Sequence, residues 1–221
     1  MKPQVKVFVG LVATAAAGVL GAGLATASWS HPELLALWMV LGVASSTRKV
    51  AVPGLNASCS LNALVLLAAG ATVSLAYAGL TAVSSAAVQS YWKPGHHPKP
   101  IQLLFNASNL VISTGAAWLL FSGSTWNPSA RLFLGAAAAC LYYAINVGLT
   151  SVVIHFVSDL PLGQVWEAWK RYWLHYYVVS ASVAILFSMV HISLVAQALA
   201  LSLPLLVVLH RNHRAWVSHS R

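Results

Sequence analysis

The sequence predicts an all-α, polytopic transmembrane helix bundle of about eight membrane segments, two of them short and central, plus one interfacial amphipathic helix. Three observations carry that prediction. Charged residues make up only 7% of the chain and hydrophobic ones 59%, whereas soluble domains carry roughly 25% charged residues. Three acids and twelve bases cannot dress the surface of a 221-residue soluble fold. Apolar runs of helical length recur along the chain, separated by turns rich in Pro, Gly and His. The bases stand in ones and twos beside those runs, which is the positive-inside pattern. With no long polar block, the chain reads as a single integral membrane domain over 1–221.

The first run, Met1 to Ser28, places Lys2 and Lys6 ahead of a long uncharged stretch. That stretch exceeds the roughly 7–15 residues of a signal-peptide core, so it is expected to be a retained span. Thr14, Gly18 and Ala22 have the small-xxx-small spacing that permits close helix packing. A second run, Glu33 to Val50, opens at His31-Pro32 and closes at Arg48-Lys49. Pro32 suits a first helical turn, and Glu33 suits the positive end of the helix dipole. Pro53-Gly54 then breaks the chain.

Leu61 to Trp92 decides the topology. A single helix over these residues would run about 48 Å, too long for a hydrocarbon core of about 30 Å unless steeply tilted. Gly70 and Thr72-Val73-Ser74 fall near the middle and suggest two short arms. Interrupted apolar segments of this kind mark binding sites in transporters, and their unwound backbone must be covered by protein or face a cavity. The charges favour the pair. Two arms give eight segments, with both termini cytoplasmic. Eleven of the twelve bases then lie inside: Lys2, Lys6, Arg48, Lys49, Lys93, Lys99, Lys170, Arg171, Arg211, Arg214 and Arg221. Only Arg131 lies outside.

A Pro- and His-rich turn, Lys93 to Pro100, leads into spans at Ile101 to Phe121 and Ala130 to Val157. Asp159 to Gly163 interrupts. Gln164 to His175 is amphipathic, with Trp166, Trp169 and Trp173 at i, i+3, i+7, and is expected to lie in the membrane interface as a helix of about 164–175. Tyr176 to Val190 and Ile192 to Leu209 are read as a last hairpin, followed by a short basic cytoplasmic tail, 210–221.

No motif identifies a reaction, and the chain is expected not to be an enzyme. The bases form no continuous face that could track phosphates, so a nucleic-acid partner is not expected. His155, Asp159 and His175 lack the spacing of a metal site, and no metal or cofactor is expected. Cys59 and Cys140 indicate no disulfide framework. The functional leads are amides placed in apolar sequence. Gln102, Asn106, Asn109 and Ser113 share one helical face, Asn146 lies at mid-depth in the sixth segment, Asn62 begins the third and Gln89 ends the fourth. A buried amide needs partners, so these residues either bond between helices or face a small-molecule pocket. The candidate ligand-binding set is Asn62, Gln102, Asn106, Asn109 and Asn146.

At VPG, SLNAL, AAVQSYWKP and PKPIQLLFNASNL the sequence resembles the multi-pass N-terminal membrane module that precedes GGDEF or HD-GYP output domains in bacterial cyclic-di-GMP signalling proteins. The resemblance extends to the final PLLVVLHRNHRAWV, similar to the exit helix that leads into an output domain; no GGDEF, HD or GYP sequence occurs. It implies a sensory domain of the bacterial inner membrane and supplies no binding residues. A vaguer, fold-level likeness is to the substrate-binding subunits of energy-coupling-factor transporters. The expected function is binding of a small or lipidic molecule within the bundle, relayed through the C-terminal helix to a cytoplasmic signalling partner. A transporter subunit, a structural or assembly protein and a membrane-embedded enzyme are the alternatives. Expected partners are membrane lipids, a small-molecule or lipid ligand, a signalling or transporter protein, and a second copy of the chain.

Overall fold

Seven helices and one two-stranded hairpin account for the regular structure among the described residues. In the computed structural model these are residues 2–47, 49–52, 55, 58–92, 98–122 and 128–189, all within the unit Met1–Met189. The predicted eighth segment (192–209), the tail (210–221), and the turn residues 53–54, 93–97 and 123–127 lie outside them.

In chain order the elements are α1 Pro3–Ala25, α2 Pro32–Ser46, β1 Lys49–Ala51, β2 Ser58–Ser60, α3 Ala63–Thr72, α4 Leu75–Tyr91, α5 Pro100–Phe121, α6 Pro128–Ser158 and α7 Leu162–Met189. Among the described residues, three stretches are long and apolar enough to cross a membrane: Pro3–Ala25, Pro100–Phe121 and Phe133–Ser158. Proline occupies the first turn of α1, α2 and α5, where its missing N–H costs no helix bond.

The uncharged central stretch is broken in two. α3 ends at Thr72, Val73 is extended, and Ser74 caps α4 by accepting the Tyr77 N–H at 3.4 Å. The break frees the Val73 carbonyl, which the Trp118 indole N–H on α5 satisfies at 3.1 Å. Backbone released inside an apolar bundle is tolerated when protein groups pair with it in this way. The arms run antiparallel, because Asn62 at the start of α3 donates to Gln89 Oε1 near the end of α4 at 3.3 Å. α3 is the centre of the fold. Every residue from Ala63 to Gly70 is buried, and Val65 to Ala69 are completely so. A helix apolar on all sides belongs in an interior, and α4, α5 and α7 surround this one.

Other contacts fix which helix ends meet. Phe8 near the start of α1 packs on Phe105 near the start of α5 and on Phe156 near the end of α6, with ring centroids 6.5 and 5.9 Å apart. At the same face, the Lys2 ammonium reaches both carboxylate oxygens of Asp159 at 2.6 and 2.7 Å. Asp159 ends α6 in a left-handed conformation, φ 58°, which a short polar side chain tolerates better than most. At the opposite face the Trp29 ring packs at a tilt against Tyr77, centroids 5.8 Å apart, and a Cβ on Gly23 would lie 3.0 Å from the Ala76 nitrogen. The starts of α1, α3 and α5 and the ends of α4 and α6 therefore share one face.

Two expectations are corrected. The second apolar run does not stay helical to Val50: α2 stops at Ser46, and Lys49–Ala51 pairs antiparallel with Ser58–Ser60, Val50 opposite Cys59. Val50 and Val52, just ahead of a proline, favour extended backbone over helix. Nor is Gln164–His175 a separate interfacial helix. It is part of the 28-residue α7, since no proline or glycine after Gly163 interrupts the chain before Met189. Val165 and Trp169 on it are buried in the main core.

Close packing makes α2 and α4 intolerant of bulk at one point. A Cβ on Gly42 would lie 2.9 Å from Thr81 Cγ2 and would collide with Ser85 Oγ, while nothing approaches Gly18 on α1. Gly42→Val should lower stability by about 1–3 kcal/mol through overpacking, and Gly18→Val should leave it nearly unchanged, as thermal unfolding in detergent would report. The ion pair gives a second expectation. Lys2, hydrogen-bonded to Asp159, holds its carboxyl below the usual carboxylate range. Its stabilisation is therefore present above the unfolded value of about 3.9 and lost as pH falls through the lower folded value. Asp159→Asn should lower the melting temperature slightly at neutral pH and low salt, and the difference should vanish in strong acid or high salt.

Candidate functional site

At the face where α3 and α5 start and α4 and α6 end, five helices leave a polar cavity of about 70 Å³. A water claims about 30 Å³ of liquid, so the space suits a few waters or one small molecule. Asn62, Asn106, Asn109 and Asn146 all line it. Gln102 does not. It shares the helical face of Asn106 and Asn109, but it sits in the first turn of α5, where its Oε1 accepts the Lys99 N–H at 3.1 Å. Capping draws this exposed side chain to the helix end rather than inward.

The walls are held by amides bonding between helices. Asn109, 4% exposed, is the hub: its Nδ2 lies 2.8 Å from Asn146 Oδ1, 3.1 Å from the Asn146 carbonyl and 3.0 Å from Thr150 Oγ1. Ser113, one turn further along α5, donates to the Asn109 carbonyl at 2.8 Å. Asn146 Nδ2 in turn donates to the Tyr177 hydroxyl at 2.8 Å, so the network ties α5 to α6 and α6 to α7. Asn106 Nδ2 donates to Ser90 Oγ at 3.1 Å, which joins α5 to α4. The Tyr176 hydroxyl accepts the Leu64 N–H at 3.2 Å, satisfying one of the orphan donors at the start of α3.

Seven lining residues lie outside the candidate set: the apolar Leu110 and Val147, and the polar or aromatic Ser60, Gln89, Thr150, Trp169 and Tyr177. Thr150 had a signal, since it lies four residues from Asn146 and therefore on the same face. Gln89 was among the polar leads, as the end of the fourth segment, though outside the candidate set. Trp169 was assigned to the membrane interface by its spacing, yet it is 4% exposed and packed into the core. Tyr177 had none, because its placement depends on how α7 docks on α6, where its ring lies 5.0 Å from Tyr143 and 5.9 Å from Tyr142.

Two of the three candidate metal residues are engaged elsewhere. His155 Nδ1–H donates to the Leu160 carbonyl at 2.7 Å and so fixes the α6–α7 turn, and Asp159 turns to Lys2. The His175 side chain lies outside the described residues. Among those described, no three His, Cys, Asp or Glu side chains assemble.

The hub makes a quantitative expectation. Asn109→Leu or Asn146→Leu leaves the partner amide buried and short of a bond, at a cost of about 1–3 kcal/mol each. The double variant should cost less than the sum, with a coupling of about 0.5–2 kcal/mol in a double-mutant cycle read by thermal unfolding.

Neither the curated proteins nor the solved structures include a match to this chain. One protein family does: the MASE9 family model matches residues 32–209, from the start of α2 through all of α3–α7 and every cavity residue. MASE9 is a family of membrane-associated sensory-type domains. By a match over most of its length, together with the apolar helices that place it in a membrane, the chain belongs to the MASE9 family.

Proposed function

We propose that this chain is a multi-pass sensory module of the bacterial inner membrane that binds a small molecule in the polar cavity and passes the bound state to a cytoplasmic signalling partner. The carrying observation is the cavity itself. It collects four buried or half-buried asparagines, from the start of α3 and from α5 and α6, in a chain with very few charged groups. Hydrogen bonding between helices alone would not require a space between them. Membership of a sensory-type family supports the same reading.

The relay follows from who builds the wall. α7 contributes Trp169 and Tyr177, and Tyr177 is bonded to Asn146 across the cavity's edge. A molecule that contacts these side chains differently in two packings of α7 shifts the population between them, and no other property of the ligand can do so. Segments carboxy-terminal to α7 would carry that shift to an output protein of the cyclic-di-GMP class. The reading gives the chain no catalytic role.

The proposed orientation puts the cavity face at the cytoplasm, with Lys2 and Asp159, and the α1–α2 connection in the periplasm. About eight crossings, with both termini inside, satisfy the distribution of bases. Single cysteines introduced at Ser30 should react with a membrane-impermeant maleimide in intact spheroplasts. Single cysteines at Ser158 should react only after permeabilisation.

Ligand binding is tested by native mass spectrometry of the detergent-solubilised protein. A retained small molecule is expected on the wild-type chain and lost from the Asn106→Leu/Asn109→Leu variant. Equal retention by both would place the ligand elsewhere and remove the cavity from the account.

A further inference from the structure

The cavity's chemistry narrows what it can hold, and the inference rests on reading it as a ligand pocket. We propose that it takes a small neutral molecule carrying an acceptor oxygen, of the amide or alcohol class, and that the Trp169 indole N–H is the group that recognises that oxygen.

Trp169 is 4% exposed and lines the cavity, yet its Nε1 has no hydrogen-bond partner. An indole nitrogen can only donate, and a buried donor left unpaired is costly enough that native structures seldom keep one. The nitrogen itself is covered, so an acceptor oxygen in the adjoining space removes that cost once a small turn of the ring brings the N–H to it.

Charge selects further. Among the described residues, no Lys, Arg, His, Asp or Glu lines the cavity. A carboxylate or ammonium would be stripped of water there with no opposite charge to meet it. The wall offers amides instead. Asn62 gives its Nδ2 to Gln89 Oε1, so the remaining ends of that pair are an acceptor on Asn62 and a donor on Gln89. Asn106 gives its Nδ2 to Ser90 and keeps a carbonyl oxygen. A neutral molecule with both an acceptor and a donor matches these groups, and a volume of about 70 Å³ limits it to a few heavy atoms.

The test uses the full chain in lipid nanodiscs with ¹⁵N-labelled indoles, the Trp169 resonance being identified by its absence from Trp169→Phe. Acetamide and glycerol are the neutral probes, acetate and methylammonium the charged ones, each titrated in the millimolar range. The expected result is a saturable shift of the Trp169 resonance with a neutral probe and none with the ions. The Trp118 resonance should stay in place throughout as a check of the fold. Side-chain amide resonances of the cavity asparagines supply a second readout, by which Trp169→Phe should weaken neutral-probe binding about tenfold, the loss of one hydrogen bond. Saturation by acetate or methylammonium would overturn the neutral-ligand inference while leaving a ligand pocket. No saturable response to any probe would also overturn it, with the molecule retained in native mass spectrometry then deciding whether the pocket reading survives. Unchanged acetamide affinity in Trp169→Phe would remove the indole from recognition.

Discussion

The structure depends on a break in the backbone at Val73–Ser74. A continuous helix from Leu61 to Trp92 would have no place for its polar ends near one another. Interrupting it releases backbone groups that apolar surroundings cannot satisfy, and a serine cap and a tryptophan from another helix supply the missing bonds. Once folded back, the chain carries Asn62 and Gln89 to the same end. α3 becomes a short apolar plug enclosed by longer helices, and the cavity opens beside its start.

Packing and polarity are divided between the two ends of the bundle. Near the break, α3 and α5 are in van der Waals contact: a Cβ on Gly70 would meet the Thr114 carbonyl and the Trp118 nitrogen at 3.7 and 3.8 Å. The other end is held by directional bonds through Asn106, Asn109 and Asn146, and by the Lys2–Asp159 pair. Dispersion contacts of the first kind fix a helix in place, whereas hydrogen bonds to amides can be exchanged for bonds to a guest. In the proposed sensory reading, the end that yields would be the one around the cavity.

Much of this was legible in the sequence, for identifiable reasons. The helices α1, α5 and α6 were found because uninterrupted apolar runs flanked by proline have few other solutions. The break near Ser74 followed from length against membrane thickness together with the distribution of bases. Asn109 and Asn146 were found because an amide in apolar sequence must have a partner. What escaped was whatever depends on docking. The β1–β2 pairing needs a partner strand several residues away, and nothing local marks Ser58–Ser60. The α7 tryptophans have a spacing that suits either a membrane interface or a protein groove, and burial of Trp169 selects the groove. Gln102 shows the reverse error, a residue on the right face whose side chain is claimed by its own helix end.

The central claim is that the uncharged middle of the chain doubles back, since the cavity exists only if it does. Spin labels at positions 61 and 92 of the protein in nanodiscs, measured by pulsed electron–electron double resonance, test this directly. The fold described here predicts a separation of about 10–20 Å, label arms included, because both residues sit at one face. An unbroken helix, rising about 1.5 Å per residue, would separate them by about 45 Å and would contradict the account.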